Sequence, residues 1–392
     1  MIATLLFLAA AQQYDHGNPT GDEQLVLEMI NRARANPSAE ETRLKALYGL
    51  PMAWTISEGL PGSAPAVIAK PPLAFNAVLQ GIARTHSKDM YDRSFFAHSN
   101  PDGKDPFDRM TDAGYPWTNA GENIAVGSPL SFYPADALED NLMIDAGVAG
   151  RGHRRNLLDI YVTGPFREIG LGYWAQSPDN AQGWQAFLTQ DFGTTSAGPF
   201  LLGVVYYDRN SNSFYDPGEG LGGVVITHTA SGTFAITSSS GGYALPVPTS
   251  GSTTVTATGI TLPGGALVSA STPLGANNVK VDFRVTLAAA PDGDVDGLPN
   301  FWETNYPSSA TPGSDQDADG FTSLQEFRGG SDPTNNASLP VSQPPAPAPP
   351  PGAPPPPPPG GGGSGGGGGG CGALGIGVLL PVLLGAWRRR RR

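Results

Sequence analysis

The chain has 392 residues, enough for two or three domains, and sets 35 acidic against 23 basic side chains for a net charge of −12. Five of the basic residues are the terminal Arg388–Arg392, so the rest of the chain is more acidic still. That excludes a general nucleic-acid binder, which needs clustered Lys and Arg, and suits hard cations held by carboxylates. A single cysteine, Cys371, excludes an intrachain disulfide, so stability must come from cores and metals.

Met1–Ala11 is an apolar run ending in three alanines, which fits a secretory signal peptide over residues 1–11. Thr20-Gly21-Asp22-Glu23 reads as a capping box opening a helix, with Leu25, Val26, Met29, Ile30 and Ala33 on one face and Asn36-Pro37 as the stop. Residues 49–74, rich in Pro and Gly, read as a long loop. Asn76 caps a second helix whose apolar stripe includes His86, a position that predicts a core histidine. Asp105-Pro106 opens a short helix ending near Gly114. Glu122–Val126, Glu168–Trp174 and Gln185–Phe192 alternate as strands, and Pro134–Ala146 reads as a helix with Leu138 and Leu142 inward. Helices interleaved with strands over residues 20–195 predict an α/β layered domain.

Beyond Ser196-Ala197-Gly198-Pro199 the composition shifts to Val, Thr, Ser and Gly, and residues 199–287 predict a small all-β sandwich. Residues 291–336 form a third, strongly acidic unit. Residues 337–370 are a Pro-rich and then Gly-rich linker. Cys371–Trp387 is an uncharged apolar stretch of 17 residues before the arginines, so residues 371–392 predict a membrane segment with its positive end cytoplasmic.

Three stretches carry calcium-loop spacing, in which alternate carboxylates converge around a tight turn and the twelfth residue closes the shell. The first acidic repeat offers Asp292, Asp294, Asp296, Leu298 (by its carbonyl), Asn300 and Glu303; the second offers Asp315, Asp317, Asp319, Phe321 (by its carbonyl), Ser323 and Glu326. In the β-module, Asp208, Asn210, Asn212, Phe214 (by its carbonyl), Asp216 and Glu219 fill the same places, with Ser213 where the turn glycine belongs. The acidic unit resembles the thrombospondin type 3-like, EF-hand-derived repeats of bacterial surface proteins. Gly203–Val225 resembles the calcium-binding B-type repeats of bacterial adhesins, which act as stiff spacers. Extracellular sites of this kind bind weakly, at about 10⁻⁴–10⁻³ M, and stiffen a stalk.

His98, Glu122 and His153 are the remaining candidates, offering two imidazoles and a carboxylate for a metal or acid/base site. Their separations match no short metal motif. Four motifs occur in an order that gives them meaning: Asn31-Arg32-Ala33-Arg34-Ala35-Asn36-Pro37, Phe96-Ala97-His98-Ser99, Gly121-Glu122-Asn123-Ile124-Ala125 and Gly152-His153-Arg154-Arg155-Asn156-Leu157. Together with Ile169–Tyr173 and Thr189–Gly193, they resemble the CAP superfamily (cysteine-rich secretory protein, antigen 5 and pathogenesis-related 1, also called SCP-like) over residues 20–195. The resemblance implies an α-β-α sandwich with a central cleft holding two His and two acidic residues. His98, Glu122 and His153 match three of these; the fourth is Asp145 or Glu139, with Asp145 nearer the inward face.

Such a cleft is suited to Zn²⁺ with one position open to water. The family resemblance implies binding of lipids, sterols or surface partners more than catalysis, and no nucleophile motif accompanies the histidines. A metal-assisted hydrolase acting on peptides or esters is the alternative, and an adhesion or spacer protein the third reading. The Gly-run, Cys371-Gly372, apolar stretch and Arg cluster resemble a MYXO-CTERM sorting signal. That resemblance implies cleavage near Cys371 and display at the cell surface; a permanent single-span anchor is the simpler alternative.

Overall fold

A computed structural model describes residues 12–161, 164–259, 266–286, 292–294, 296–329, 333–336 and 387–390. The signal-peptide reading (1–11) and the apolar stretch 371–386 lie outside the described residues. Among the described residues, no helix is long and apolar enough to cross a membrane.

After a short strand β1 (Gln12–Gln13), the head begins with α1 (Gly21–Ala35). Its capping box forms: Glu23 N donates to Thr20 Oγ1 at 3.2 Å and Thr20 N to Glu23 Oε2 at 2.8 Å. Asn36-Pro37 does more than stop this helix. Asn36 also caps α2 (Pro37–Tyr48), accepting from Ala39 N, with Pro37 in the first turn where a missing N–H costs nothing. The sequence reading had no second helix there. Residues 49–73 hold no helix or strand, as expected of a long loop.

The chain continues through β2 (Ala74–Phe75), α3 (Ala77–Asp92), α4 (Pro106–Asp112), β3 (Asn119–Gly127), α5 (Ala135–Ile144), α6 (Gly152–Leu157), β4 (Glu168–Ala175) and β5 (Ala186–Thr194). The sheet order is β3-β5-β4-β2, with β3–β5 and β5–β4 antiparallel and β2 parallel to β4. On one face α1, α5 and α6 enclose Val26, Ile30, Leu138, Leu142, Leu157 and Phe192; on the other, α3 and α4 bury Leu79, Ile82, Phe107 and Met110. This is a three-layer α-β-α arrangement, the layered α/β domain that the sequence predicts and the sandwich that the family resemblance implies.

The layers meet backbone to backbone at β4. A Cβ on Gly170 would lie 2.0 Å from the Leu79 carbonyl carbon, and one on Gly172 would lie 2.3 Å from that of Ala83. Only glycine admits α3 this close.

The second module runs through β6 (Phe200–Asp208), β7 (Val225–His228), β8 (Thr233–Ile236), β9 (Gly242–Pro246), β10 (Gly251–Thr253), β11 (Val255–Thr258), β12 (Leu267–Val268), β13 (Thr272–Leu274), β14 (Val279–Lys280) and β15 (Phe283–Thr286). One sheet is ordered β1-β8-β7-β11-β12; in the other, β6 pairs with β9, β14 and β15. Their inner faces share Leu201, Val205, Ile226, Ala235, Tyr243 and Val255. Residues Gln12–Gln13, ahead of the head in sequence, thus complete a sheet of the module behind it.

The acidic unit contributes α7 (Asn300–Asn305) and α8 (Ser323–Gly329), packed on the module through Tyr207, Val285, Leu298, Trp302 and Phe327. Near the C-terminus, β16 (Trp387–Arg390) pairs antiparallel with Asn119–Glu122 of β3.

Gly172→Ala should destabilise the head by about 1–3 kcal/mol, because the backbone of α3 has to shift to admit the methyl group. Urea unfolding of the variant beside the parent, read as a lower midpoint at unchanged slope, checks this.

Candidate functional site

His98 lies in the loop between α3 and α4 and is buried. Its Nδ1 is 2.7 Å from Glu122 Oε1, and the other Glu122 oxygen accepts from Arg109 of α4. Arg109 also donates to the His98 carbonyl at 2.7 Å. Glu122 has no exposed surface. Burial alone would raise its carboxyl; the Arg109 guanidinium above all, with the His98 Nδ1 contact, outweighs this and holds it at about 2. The carboxylate is therefore ionised and fully engaged.

Across the ladder from Glu122 stands Asp191, also fully buried. Burial first, and the Glu122 charge second, push its carboxyl well above the usual range. Sequence reading placed Asp191 in a strand motif and gave it no role, and it missed Arg109 altogether. Both pairings depend on strand register and helix placement.

His153 is the second residue of α6. Its Nδ1 is 2.7 Å from Asp145 Oδ1, while Asp145 Oδ2 accepts from the backbone N–H of His153 at 3.0 Å and of Arg154 at 3.1 Å. Asp145 does this from a left-handed backbone (φ 54°) just past the end of α5. His153 Nε2 is buried and finds no hydrogen-bond partner among the described residues.

Glu139, the other candidate for the fourth acidic place, turns elsewhere, accepting from Gln190. Gln190 Oε1 in turn accepts from Asn123, whose amide also donates to the His153 carbonyl at 3.2 Å. Burial, foremost, raises the Glu139 carboxyl well above its ordinary range.

Two histidine–carboxylate pairs thus flank β3, one on Glu122 and the other tied to Asn123 beside it. His98, Glu122 and His153 are not gathered as three ligand atoms within 4.8 Å; among the described residues only the two Asp triplets of the acidic unit are. Arg154 is a packing residue: fully buried, it donates to the carbonyls of Met143, Ile56 and Glu58 and lies over the Trp54 ring.

The calcium-type loops share one local geometry. The sixth residue has positive φ in each: 63° at Ser213, 97° at Gly297 and 97° at Gly320. Its N–H donates to the first carboxylate in each, Asp208, Asp292 and Asp315, at 3.2, 2.9 and 3.1 Å. The seventh residue, Phe214, Leu298 or Phe321, donates its N–H to the fifth side chain, at 2.7, 2.9 and 2.8 Å. Ser213 therefore adopts the glycine conformation despite its side chain. Asn210 and Asn212 both donate to Asp216, and Glu219 accepts from Arg209 N and Asp216 N. Burial raises the Glu219 carboxyl to about 7. Among the ligand candidates of the acidic unit, Asp294, Asp296, Asp317 and Asp319 line the triplets, Glu326 is buried, and Asn300 and Ser323 open α7 and α8, with Glu303 one turn into α7.

His86 is the core histidine the sequence predicts, 3.0 Å from the Ala97 carbonyl through Nε2. Burial, ahead of the neighbouring charges, lowers its imidazole to about 4. The native state therefore keeps it neutral between pH 6.5 and 4, where the unfolded imidazole takes a proton, so acidification costs stability. His86→Gln has nothing to titrate in that window. It should lose about 2 kcal/mol less than the parent between pH 7 and pH 4.5, measured by urea unfolding at both pH values.

Residues 27–192 match the model of the Cysteine-rich secretory protein family, CAP. The uncharacterized protein YkwD of Bacillus subtilis (strain 168) is 30% identical over 165 residues, which is 42% of this chain and 54% of that protein. The chain thus spans about half the length of that curated relative. Among solved structures, an extracellular protein containing a SCP domain from Bacillus anthracis str. Ames is 28% identical, covering 32% of this chain and 34% of that one, with a TM-score of 0.23. An outer surface protein of Borrelia burgdorferi is 13% identical over 30% of this chain and 74% of its own, also with a TM-score of 0.23. The sequence matches make residues 27–192 of this chain similar to the Cysteine-rich secretory protein family.

Proposed function

We propose that this is a secreted, surface-displayed protein whose CAP head binds a divalent metal, zinc by its chemistry, through His98 and His153. The observation that supports this is the pair of Nδ1–carboxylate contacts, each 2.7 Å. Metal-bound imidazoles characteristically give their second nitrogen to a carboxylate, which fixes the tautomer and turns Nε2 towards the ion. His153 Nε2, buried and unpartnered among the described residues, fits that role. On this reading Glu122 and Asp145 orient the imidazoles and do not ligate. The ligand taken up beside the metal is a lipid or a cell-surface molecule, and binding, not turnover, is the activity.

Zinc titrated calorimetrically into the protein should bind at about one equivalent. His98→Ala and His153→Ala should each abolish this, and Asp145→Asn should weaken it about 10–100-fold. Uptake undiminished in both alanine variants overturns the reading.

The modules behind the head are read as calcium-loaded supports, because the two shared hydrogen bonds recur in all three loops. The membrane segment and surface sorting of residues 371–392 belong to the same proposal, in which Trp387–Arg390 leave the edge of β3 when the segment inserts. Calcium removal by a chelator should lower the melting temperature of the whole protein by at least about 2 °C, read by calorimetry. An unchanged transition removes the calcium reading.

A further inference from the structure

The loop between Asp208 and Glu219 stands where the parts of the molecule meet. On one side it touches α1 of the head. Arg32 lies over the Phe214 ring at 4.4 Å, Tyr215 is buried with Leu25 against it, and a Cβ on Gly21 would lie 3.2 Å from Pro217. Beside these contacts is a cavity of about 220 Å³ lined by Glu28, Arg32, Phe214, Tyr215 and Lys280, across which Glu28 Oε2 meets Lys280 Nζ at 2.8 Å. On the other side Arg209 donates to the Phe327 carbonyl of α8, and the Tyr207 and Phe327 rings lie 5.7 Å apart.

Two side chains inside this loop bear on what occupies it. Asp208 is 2% exposed, and its Oδ1 has no hydrogen-bond partner among the described residues. Its Oδ2 accepts from Ser213 N at 3.2 Å and faces Arg284 Nη1 at 3.3 Å, so the carboxylate lies across the turn. A buried carboxylate oxygen with no donor is costly, and a hard cation within the loop supplies what it lacks.

We propose that the 208–219 loop is a calcium-operated clamp between head and module. A calcium ion held there fixes the turn that presents Phe214, Tyr215 and Pro217 to α1, and so fixes how the CAP head sits on the rest of the chain. The proposal rests on the calcium reading of this loop but adds a consequence of its own: among the described residues, the other two loops pack on the module through Leu298 and Leu324. The ion acts on orientation, and the head's own histidine site is untouched by it.

Hydrogen exchange on the full chain, in 10 mM calcium chloride and in chelator, tests this. Calcium should slow exchange about tenfold both in residues 208–219 and in the first turns of α1, while α3, across the sheet, stays unchanged. Asp208→Asn should lose both effects; if it folds poorly, Glu219→Gln serves in its place. Slowing in the loop with α1 unchanged overturns the clamp and leaves calcium binding standing. Equal slowing of α1 and α3 overturns it too, as general stabilisation. No effect in the loop removes the calcium reading and the clamp together.

Discussion

The negative charge of Glu122 is the constraint around which the head is built. A carboxylate with no exposed surface is tolerated only when fully paired. Here Arg109 is delivered by α4 and His98 by the preceding loop, so both must dock against β3 in one position. The same charge acts on its neighbour. Glu122 and Asp191 are cross-strand partners on β3 and β5, so the Glu122 charge, together with burial, disfavours a second charge on Asp191. Removing Arg109 would leave the Glu122 charge stranded, a loss of about 3–5 kcal/mol on the pattern of broken buried pairs.

What the sequence discloses follows from how far each signal reaches. The capping boxes at Thr20 and Asp105 join residues three apart, so they are visible by inspection. Asn36-Pro37 is also local, yet ambiguous: the pair that ends one helix serves equally to begin the next, and α2 was missed for that reason. The helix that carries His153 is only six residues long, so no periodicity marks it. Its start is braced by Asp145, eight residues earlier, in a left-handed conformation that composition does not signal. The pairing of His98 with Glu122 became readable only through the order of the family motifs. Asp191 was legible only as part of a strand motif, and Arg109 carried no signal without the placement of α4.

The three loops with calcium-type spacing show the opposite balance. Their spacing is strict, so a shared turn was legible, and even the departure at Ser213 is absorbed by a positive φ at the same place in the turn. Their arrangement was not legible. A stalk of successive modules suggests a linear chain, whereas Tyr207, Leu298, Trp302 and Phe327 draw the acidic unit onto the β-module in one aromatic core. Gln12–Gln13 likewise crosses from before the head to a sheet behind it. Contacts between residues some two hundred positions apart leave no periodicity to read.

The junction between head and module has an apolar part, where Ala74 packs with Phe200, Leu202 and Ala244, and a set of directional polar contacts beside it. Lys280 is pinned between Glu28 and Asp282, Asn278 donates to the carbonyls of Pro72 and Arg167, and His16 meets the Gly242 carbonyl at 2.9 Å. Burying charges such as Glu28 and Lys280 costs about as much as their attraction returns, so their net contribution to stability is small. Their contribution to geometry is not. Apolar faces slide over one another at little cost, but a displaced Lys280 leaves two carboxylates unpaired. The interface is therefore held in one register by directional bonds, and the loop that carries Phe214 closes its open side.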